Sequence, residues 1–326
     1  MITAVSMNPC IDRTLTISKL EPGGTHRVKN LRQDISGKAV NVAHALKNLN
    51  IPCQVLGFDF AENGYLLKDS LKNAGIPYDY IEVPGAIRTN IKIFEEESQV
   101  MTEINEEGPV VSSGSIKKIL EKAAEGQRDM LILSGSLPPG VEPGVYGKII
   151  EKTEAITVLD TGGEALRLGL KAGAVIIKPN IYEIESTFGV TLPTTDMKIA
   201  YCRDMIEKYP ELKIICLSLG AEGALIAGEK DAFFAPPMDI QVKGVQGAGD
   251  AMVAGIIAGL YTPVENCNQP VTVCNRLKQF SDIPSLDILL KFATASAAAT
   301  LVKEGSLMGN KEDFDEMLNR VEIVQL

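Results

Sequence analysis

Short apolar runs recur along the chain and are separated by segments with helical spacing. Apolar residues three and four positions apart predict helices near residues 40–49, 65–73, 115–125, 143–152 and 196–208. The apolar runs predict buried strands at 2–7, 54–58, 130–134, 156–160, 174–178 and 213–219. Strands that alternate with helices form a mostly parallel sheet covered by helices on both faces. The pattern therefore predicts an α/β fold.

Two segments depart from this rhythm. Residues 14–35 and 87–106 alternate polar and apolar side chains and carry turn signals at 21–24 and 95–98. Alternation is typical of half-exposed antiparallel strands, so together they predict a small β-sheet that closes over the main domain as a lid. Since no linker or repeat interrupts the chain, we expect one domain over 1–326 with this lid inserted. Residues 262–285 predict a surface insertion to which we assign no chemistry.

Composition narrows the range of partners. The chain has 326 residues, 45% hydrophobic and 23% charged, and its formal net charge of −10 disfavours nucleic acid or an anionic membrane as a partner. The six cysteines contain no C-x-x-C pair, and His26 and His44 lack metal-ligand spacing, which disfavours a zinc site. Cys216 lies in an apolar run and is typical of a core thiol. With no leader and no membrane-length apolar run, the expected compartment is the cytoplasm.

The candidate for catalysis is the turn that contains Gly247, Ala248, Gly249 and Asp250, followed by a run of small residues. A glycine turn that enters a helix leaves the first N–H groups free and forms an anion site. A carboxylate beside it can take a proton from an alcohol while the N–H groups hold a transferring phosphoryl group. The alternative is a capping aspartate on a tightly packed helix.

Two further segments offer polar groups at the ends of predicted elements. Gly37, Lys38 and Asn41 begin a helix, where the glycine admits a ligand to the backbone and Asn41 offers a donor and an acceptor. The segment is not a Walker A loop, since it lacks the required glycine and hydroxyl residue. Asp12 follows the first strand and could accept hydrogen bonds from sugar hydroxyls. The alternatives are a solvated helix start and a turn aspartate.

Polar residues at every second position mark one face of a predicted lid strand. Arg88, Asn90 and Lys92 form this row, and Arg27 and Lys38 are possible helpers elsewhere. An Arg fork with neighbouring cations suits a substrate phosphate, which a net negative protein must bind through a local cluster. The alternative is the solvated face of an edge strand.

Two segments near the chain's middle suit a nucleotide and its metal. Asn180 and Glu183 have the spacing to organise Mg²⁺ and its waters, or to form a capping box at a helix start. A glycine-rich strand–turn–strand is suited to lie along a nucleotide; it contains Ser218, Gly220, Ala221, Glu222 and Gly223.

Taken together, these motifs resemble the ribokinase/PfkB sugar-kinase family over nearly the whole chain. The resemblance rests on the blocks at 36–43, 134–140, 178–183, 218–223 and 247–250, in family order and spacing. Within the family the chain is most similar to the 1-phosphofructokinase and tagatose-6-phosphate kinase branch, through the segments at 8–12 and 88–92. Two positions depart from the family pattern: the usual Gly-Gly-Lys-Gly reads 36–39 Ser-Gly-Lys-Ala, and Gln246 replaces a small or β-branched residue.

The resemblance implies a Rossmann-like core with a β lid, a frequent dimer through the lids, and ATP- and Mg²⁺-dependent phosphorylation of a ketohexose phosphate. It implies Asp250 as base with the N–H groups of 247–249 at the phosphoryl group, and Glu183 at the metal through water. The substrate would contact Asp12, Arg27, Gly37, Lys38, Asn41, Arg88, Asn90 and Ser136. The nucleotide would contact Lys178, Asn180, Ser218, Gly220, Ala221, Glu222, Gly223 and Gly249.

Three substrates remain open: fructose 1-phosphate first, then tagatose 6-phosphate or fructose 6-phosphate. A ketofuranose can present its phosphate and its primary hydroxyl at either end, so the sequence does not fix the acceptor. A distant alternative is a non-catalytic regulator that binds a sugar phosphate or a nucleotide.

Overall fold

The computed structural model describes residues 1–126, 128–261 and 284–326. Its strands, in chain order, are β1 (Ile2–Ser6), β2 (Cys10–Ile17), β3 (Asn30–Ser36), β4 (Cys53–Glu62), β5 (Tyr78–Ala86), β6 (Arg88–Glu95), β7 (Met101–Asn105), β8 (Met130–Ser134), β9 (Ile156–Asp160), β10 (Ile176–Ile177), β11 (Ile214–Ser218), β12 (Ala224–Ala227), β13 (Ala232–Ala235) and β14 (Val324–Gln325).

The helices of the described residues are α1 (Lys38–Asn48), α2 (Gly64–Asn73), α3 (Ser113–Ala124), α4 (Val145–Ile150), α5 (Gly163–Lys171), α6 (Ile181–Phe188), α7 (Thr195–Lys208), α8 (Ala248–Tyr261), α9 (Leu286–Leu301) and α10 (Lys311–Leu318). A single 3₁₀ turn spans Gly220–Glu222. None of these helices has the length and apolar character needed to cross a membrane.

The large sheet has the strand order β14-β13-β12-β11-β10-β9-β8-β1-β4-β5. The pairs from β11 to β5 are parallel, and β12, β13 and β14 add an antiparallel edge. Strands β1, β8 and β9 are buried along their whole length, as their continuous apolar runs predict. The predicted α/β fold with a mostly parallel sheet is confirmed, and all six predicted strands are present.

The strand order reverses between β1 and β8, because the chain runs outward through β4 and β5 before it returns to β8. Ligands of open α/β sheets bind beyond the carboxyl ends of strands at such a reversal. The segments that follow β1, β8, β9, β10 and β11 therefore lie along one edge of the sheet. The candidate residues from these segments share that edge.

A separate four-stranded sheet has the order β3-β2-β6-β7. It is formed by the two segments whose alternation predicted a small sheet. The expected antiparallel pairing holds for β2 with β3 and for β6 with β7 but is wrong for the central pair, since β2 and β6 run parallel. The chain between them passes through the main domain, and a connection of that length permits parallel pairing.

Close helix packing fixes the position of α8. Its described residues from Asp250 to Leu260 are all buried, and it packs mainly on α9. A Cβ at Gly259 would lie 2.8 Å from Leu289 Cδ2, and one at Gly255 would overlap the backbone at Phe292. The small residues therefore let the two helices approach closely and hold the N-terminus of α8 in place.

The predicted insertion at 262–285 lies outside the described residues except for its last two positions. The core-thiol interpretation of Cys216 is confirmed, since Cys216 is fully buried in β11. The other described cysteines, Cys10, Cys53 and Cys202, are also buried and free.

Candidate active site

The glycine turn before α8 has the geometry of an anion site. Gly247 has φ +74°, a region that favours glycine, and a Cβ there would overlap Met308 Cε. Helical hydrogen bonding begins with Ala251 N donating to Gly247 O at 2.8 Å, so the preceding N–H groups lack partners within the helix. A Cβ at Gly249 would lie 3.2 Å from Lys178 Nζ. The turn thus joins free N–H groups, the positive end of a helix dipole and a lysine.

Asp250 lies in the first turn of α8 and is 6% exposed. Its Oδ2 accepts a hydrogen bond from Asn41 Nδ2 at 2.8 Å, and Ser36 Oγ holds the Asn41 amide. Burial raises the pKa of Asp250 to about 6; the charge of Asp160 adds to this, while Lys38, Asn41 and Lys178 oppose it. A carboxylate with such a pKa can hold a proton taken from an alcohol.

Asp160, which the sequence analysis missed, is the fully buried centre of a charge network. Its carboxylate accepts from Ser134 Oγ at 3.0 Å and pairs with Lys178 Nζ at 3.2 Å and Lys38 Nζ at 3.3 Å. Burial raises the pKa of Asp160, but Lys178, Lys38 and the hydrogen bonds outweigh it, and the net shift is downward. A signal existed, because Asp160 ends an apolar strand where ligands of parallel sheets gather.

Lys38 points from the start of α1 into this network. Its ammonium lies 3.4 Å from Glu183 Oε1. Burial lowers the pKa of Lys38, but the negative charges of Asp160, Glu183 and Asp250 together raise it by more, so the net shift is upward. Lys38 therefore stays charged beside Asp160 and Glu183. It also lines, with Ser136, a cavity of about 400 Å³ beyond the ends of β8 and β9.

The turn before α1 needs its glycine. Gly37 has φ +130°, and a Cβ there would lie 2.9 Å from Pro9 Cα. The bare backbone at Gly37 therefore allows the segment after β1 to approach α1 closely.

The alternative of a turn aspartate is wrong for Asp12, which lies inside β2 with its carboxylate buried. Oδ1 accepts from Asn90 Nδ2 at 3.0 Å, and Oδ2 accepts from Lys92 Nζ and Ser306 Oγ, both at 2.8 Å. Burial raises the pKa of Asp12, but Lys92 and these hydrogen bonds lower it more, so Asp12 is ionised.

Lys92 was expected in a phosphate clamp, and that expectation is wrong. The side chain is 5% exposed and its ammonium lies on Asp12. The two charges compensate each other because β2 and β6 are paired in parallel, which puts both residues on the inner face of the small sheet.

Arg88 is held with part of its guanidinium free. Nε donates to Asn8 O at 3.2 Å, and Nη1 donates to Glu106 O at 3.1 Å and Asn90 Oδ1 at 3.4 Å. The described chain gives Nη2 no partner. Asn8 Nδ2 also lies 3.4 Å from Ser136 Oγ, so Arg88 and Ser136 share a neighbour. Arg27, the other predicted helper, is exposed between β2 and β3.

Asn180 and Glu183 form the capping box of α6. Asn180 Oδ1 accepts from Glu183 N at 2.8 Å, and Asn180 N donates to Glu183 Oε2 at 2.9 Å. The described residues contain no cluster of three metal-ligating side chains. Glu183 Oε1 lies 3.4 Å from Lys38 Nζ, and Glu183 also lines the cavity.

The predicted strand–turn–strand is confirmed as β11, the 3₁₀ turn and β12. Ser218 N donates to Pro179 O at 3.1 Å, and Asn180 forms a bridge with Ser218. The glycine-rich segment therefore lies next to the start of α6 and to Lys178. A Cβ at Gly220 would contact nothing within 4 Å, which leaves this turn open to a ligand.

A buried carboxylate at a helix-start anion site, beside two lysines on a mostly parallel sheet, defines a phosphoryl-transfer enzyme. Residues 5–312 match the family described as pfkB family carbohydrate kinase. The chain belongs to this family, and the predicted family resemblance is confirmed.

Individual relatives agree. The chain is 30% identical to the 1-phosphofructokinase of Bacillus subtilis, with 100% of each chain covered. It is 33% identical to the 1-phosphofructokinase of Escherichia coli K12, over 79% of this chain and 84% of that one. The structure of phosphofructokinase-2 from Escherichia coli with substrates and products matches with a TM-score of 0.85 at 22% identity, covering 98% of both chains. Kinases of this family use ATP as the phosphoryl donor.

Proposed function

We propose that the protein transfers the terminal phosphoryl group of ATP to a ketohexose phosphate, with fructose 1-phosphate as the first candidate and fructose 1,6-bisphosphate as its product. The observation that carries this is the buried Asp250 at the N-terminus of α8, held by Asn41 and under the influence of Lys38 and Lys178. The relatives named 1-phosphofructokinase support the choice of substrate.

Asp250 acts as the base for the acceptor hydroxyl. The hydroxyl proton passes to the Asp250 carboxylate, the oxygen forms a bond to the terminal phosphorus of ATP, and the bond from that phosphorus to the ADP oxygen breaks. Asn41 holds the carboxylate in place for this step. The N–H groups of Gly247, Ala248 and Gly249, with Lys178, hold the charge of the transferring group.

The substrates lie on either side of this turn. Lys178, Asn180 and the segment Ser218, Gly220, Ala221, Glu222 and Gly223 bind ATP along the sheet edge. Asp12, Gly37, Asn41 and Asn90 bind sugar hydroxyls, and Arg88 with Ser136 binds the existing phosphate. Lys38 is better placed for the transferring group than for that phosphate, because its ammonium lies on Asp160.

Mg²⁺ fits this arrangement as an ion held mostly by nucleotide phosphates and water. It needs only one or two protein carboxylates, and Glu183 Oε1 offers one toward the cavity. When bound, the ion supplies charge compensation to the ATP phosphates. Glu183 would hold it through water while its other oxygen keeps the helix cap.

The small sheet acts as the lid. Its inner face carries Asp12, Asn90 and Arg88, so it holds the sugar-binding groups on the side of the turn before α8 and excludes water that would compete as acceptor. Its outer face is apolar and accessible: Leu31 is 50% and Ile104 is 56% exposed. We propose a homodimer through this face, which light scattering on the protein and on a Leu31→Lys variant would test. The free described thiols fit the cytoplasm as compartment.

A coupled assay of ADP release tests the function. The panel contains fructose 1-phosphate, fructose 6-phosphate, tagatose 6-phosphate, fructose and ribose, each with ATP. We expect the highest kcat/KM for fructose 1-phosphate. ATP binding without turnover on the whole panel would instead support a regulator that keeps the fold.

A further inference from the structure

The connection between α9 and α10, residues 302–310, contacts both halves of the proposed active site. It comes from the C-terminal end of the chain, far in sequence from every other proposed substrate contact. Ser306 lies at its middle and is 9% exposed. Its Oγ donates to Asp12 Oδ2 at 2.8 Å.

This hydrogen bond comes from outside the small sheet. The other donors to Asp12 all belong to the small sheet: Cys10 Sγ on β2 at 3.5 Å, and Asn90 and Lys92 on β6. Ser306 is instead part of the main domain. Its hydroxyl therefore fixes Asp12 relative to the main domain, which the partners on β6 cannot do.

Further contacts hold residues 302–310 against β3, beside the hydrogen bond from Ser306 to Asp12. Ser306 N donates to Asp34 Oδ2 at 3.3 Å, and Glu304 pairs with Arg32 at 3.5 Å. A Cβ at Gly305 would overlap both Arg32 and Asp34. The connection thus lies tightly against the inner face of β3, next to the strand that carries Asp12.

The same connection reaches the phosphoryl site two residues later. Met308 Cε fills the space beside Gly247, and Lys243 N donates to Leu301 O at 2.8 Å just before that turn. One short segment therefore touches the sugar-binding carboxylate and the turn that holds the transferring group. The distance between these two groups is fixed by the conformation of this segment.

We propose that Ser306 is a positioning residue that holds the Asp12 carboxylate toward the substrate hydroxyls, at a set distance from the turn before α8. This rests on the proposed function, since it assigns Asp12 to the sugar. Without the Ser306 hydroxyl, Asp12 keeps Cys10, Lys92 and Asn90 but loses its own hydrogen bond to the main domain. The sugar phosphate then binds more weakly while the ATP site stays unchanged.

The test compares Ser306→Ala with the wild type and with Leu307→Ala, a matched control at the next, exposed position of the same connection. Loss of a hydrogen bond to a charged group corresponds to roughly a tenfold rise in KM for the sugar phosphate. KM for ATP is expected within about twofold of the wild type, and Leu307→Ala within about twofold for both. Isothermal titration with the sugar phosphate should show the same ratio in Kd.

A double-mutant cycle with Asp12→Asn tests whether Ser306 affects sugar-phosphate binding through Asp12. If Ser306 acts through Asp12, adding Ser306→Ala to Asp12→Asn weakens sugar-phosphate binding by much less than tenfold. An unchanged KM for the sugar phosphate in Ser306→Ala overturns the proposal. An equal rise in KM for the sugar phosphate and for ATP also overturns it, because it indicates that Ser306 only stabilises the structure. The activity of the wild type tests the proposed function separately, because absence of turnover on every sugar phosphate would contradict that function. The ratio of the Kd for the sugar phosphate in Ser306→Ala to that in the wild type would still decide the role of Ser306.

Discussion

Asp160 and Asp250 are two buried carboxylates under the influence of the same two lysines, yet their pKa values move in opposite directions. Burial raises the pKa of both. At Asp160 the ammonium groups of Lys178 and Lys38 outweigh burial, whereas at Asp250 burial and the charge of Asp160 prevail and the pKa rises to about 6. Such a division leaves one permanent anion that holds two lysines and one carboxylate that can accept a proton.

Removing the base should strongly lower turnover with little effect on binding. We expect Asp250→Asn to lower kcat roughly a hundredfold or more while both KM values stay within a few-fold, because the amide keeps the hydrogen bond from Asn41 but cannot take the proton. Steady-state kinetics with ATP and the best sugar phosphate check this. Turnover near that of the wild type would remove Asp250 from the mechanism.

The pH dependence of kcat should report the Asp250 carboxylate. Since the base must be ionised, kcat falls as the pH drops through about 6. In Asp160→Asn the neighbouring negative charge is gone, so the acidic limb should move to lower pH. The substrate phosphate titrates nearby but identically in both enzymes, so the difference between the profiles belongs to the protein. An acidic limb at the same pH in both would contradict the coupling.

The same pKa shift predicts a cost to stability. A carboxyl whose pKa is raised on folding contributes stability at low pH that is lost as the pH rises through about 6. At about pH 8 the ionised Asp250 therefore destabilises the fold by on the order of 2–3 kcal/mol. Thermal unfolding should show a higher Tm for Asp250→Asn than for the wild type at about pH 8, with the difference shrinking below about pH 5. A lower Tm at about pH 8 would show that the charge is fully compensated.

The sequence revealed the large sheet because its strands are buried on both faces and read as unbroken apolar runs, as in Met130–Ser134. It did not reveal β5, in which buried and exposed residues are mixed, or the short edge strands β13 and β14. The prediction of Lys92 in a phosphate clamp was wrong. Period-two spacing places Lys92 on one face of β6, but it does not show that Asp12 lies on the same face of the parallel neighbour β2. Ser306 left no signal, since its contact with Asp12 spans 294 positions.

Metal dependence should separate the two roles of Glu183. We expect Glu183→Gln to raise the Mg²⁺ concentration needed for half-maximal activity, because a neutral amide holds a hydrated cation less well. Glutamine also serves in a capping box, so the helix start stays intact. Glu207→Gln, at an exposed position on α7 away from the cavity, is the control. An unchanged Mg²⁺ requirement in Glu183→Gln would leave Asn180 and Glu183 with capping as their role.

The substrate phosphate should depend on Arg88. Its guanidinium is already oriented by Asn8, Asn90 and Glu106, and Nη2 has no partner among the described residues, so a phosphate can bind it without rearrangement. Arg88→Ala should raise KM for the sugar phosphate roughly thirtyfold, which corresponds to a loss of about 2 kcal/mol of binding free energy. We expect KM for ATP to rise far less. Arg203→Ala, on the exposed face of α7, is the matched control and should change neither KM. A wild-type enzyme that prefers free fructose or ribose to every sugar phosphate would refute the clamp, because a hydroxyl needs no guanidinium at that end of the site.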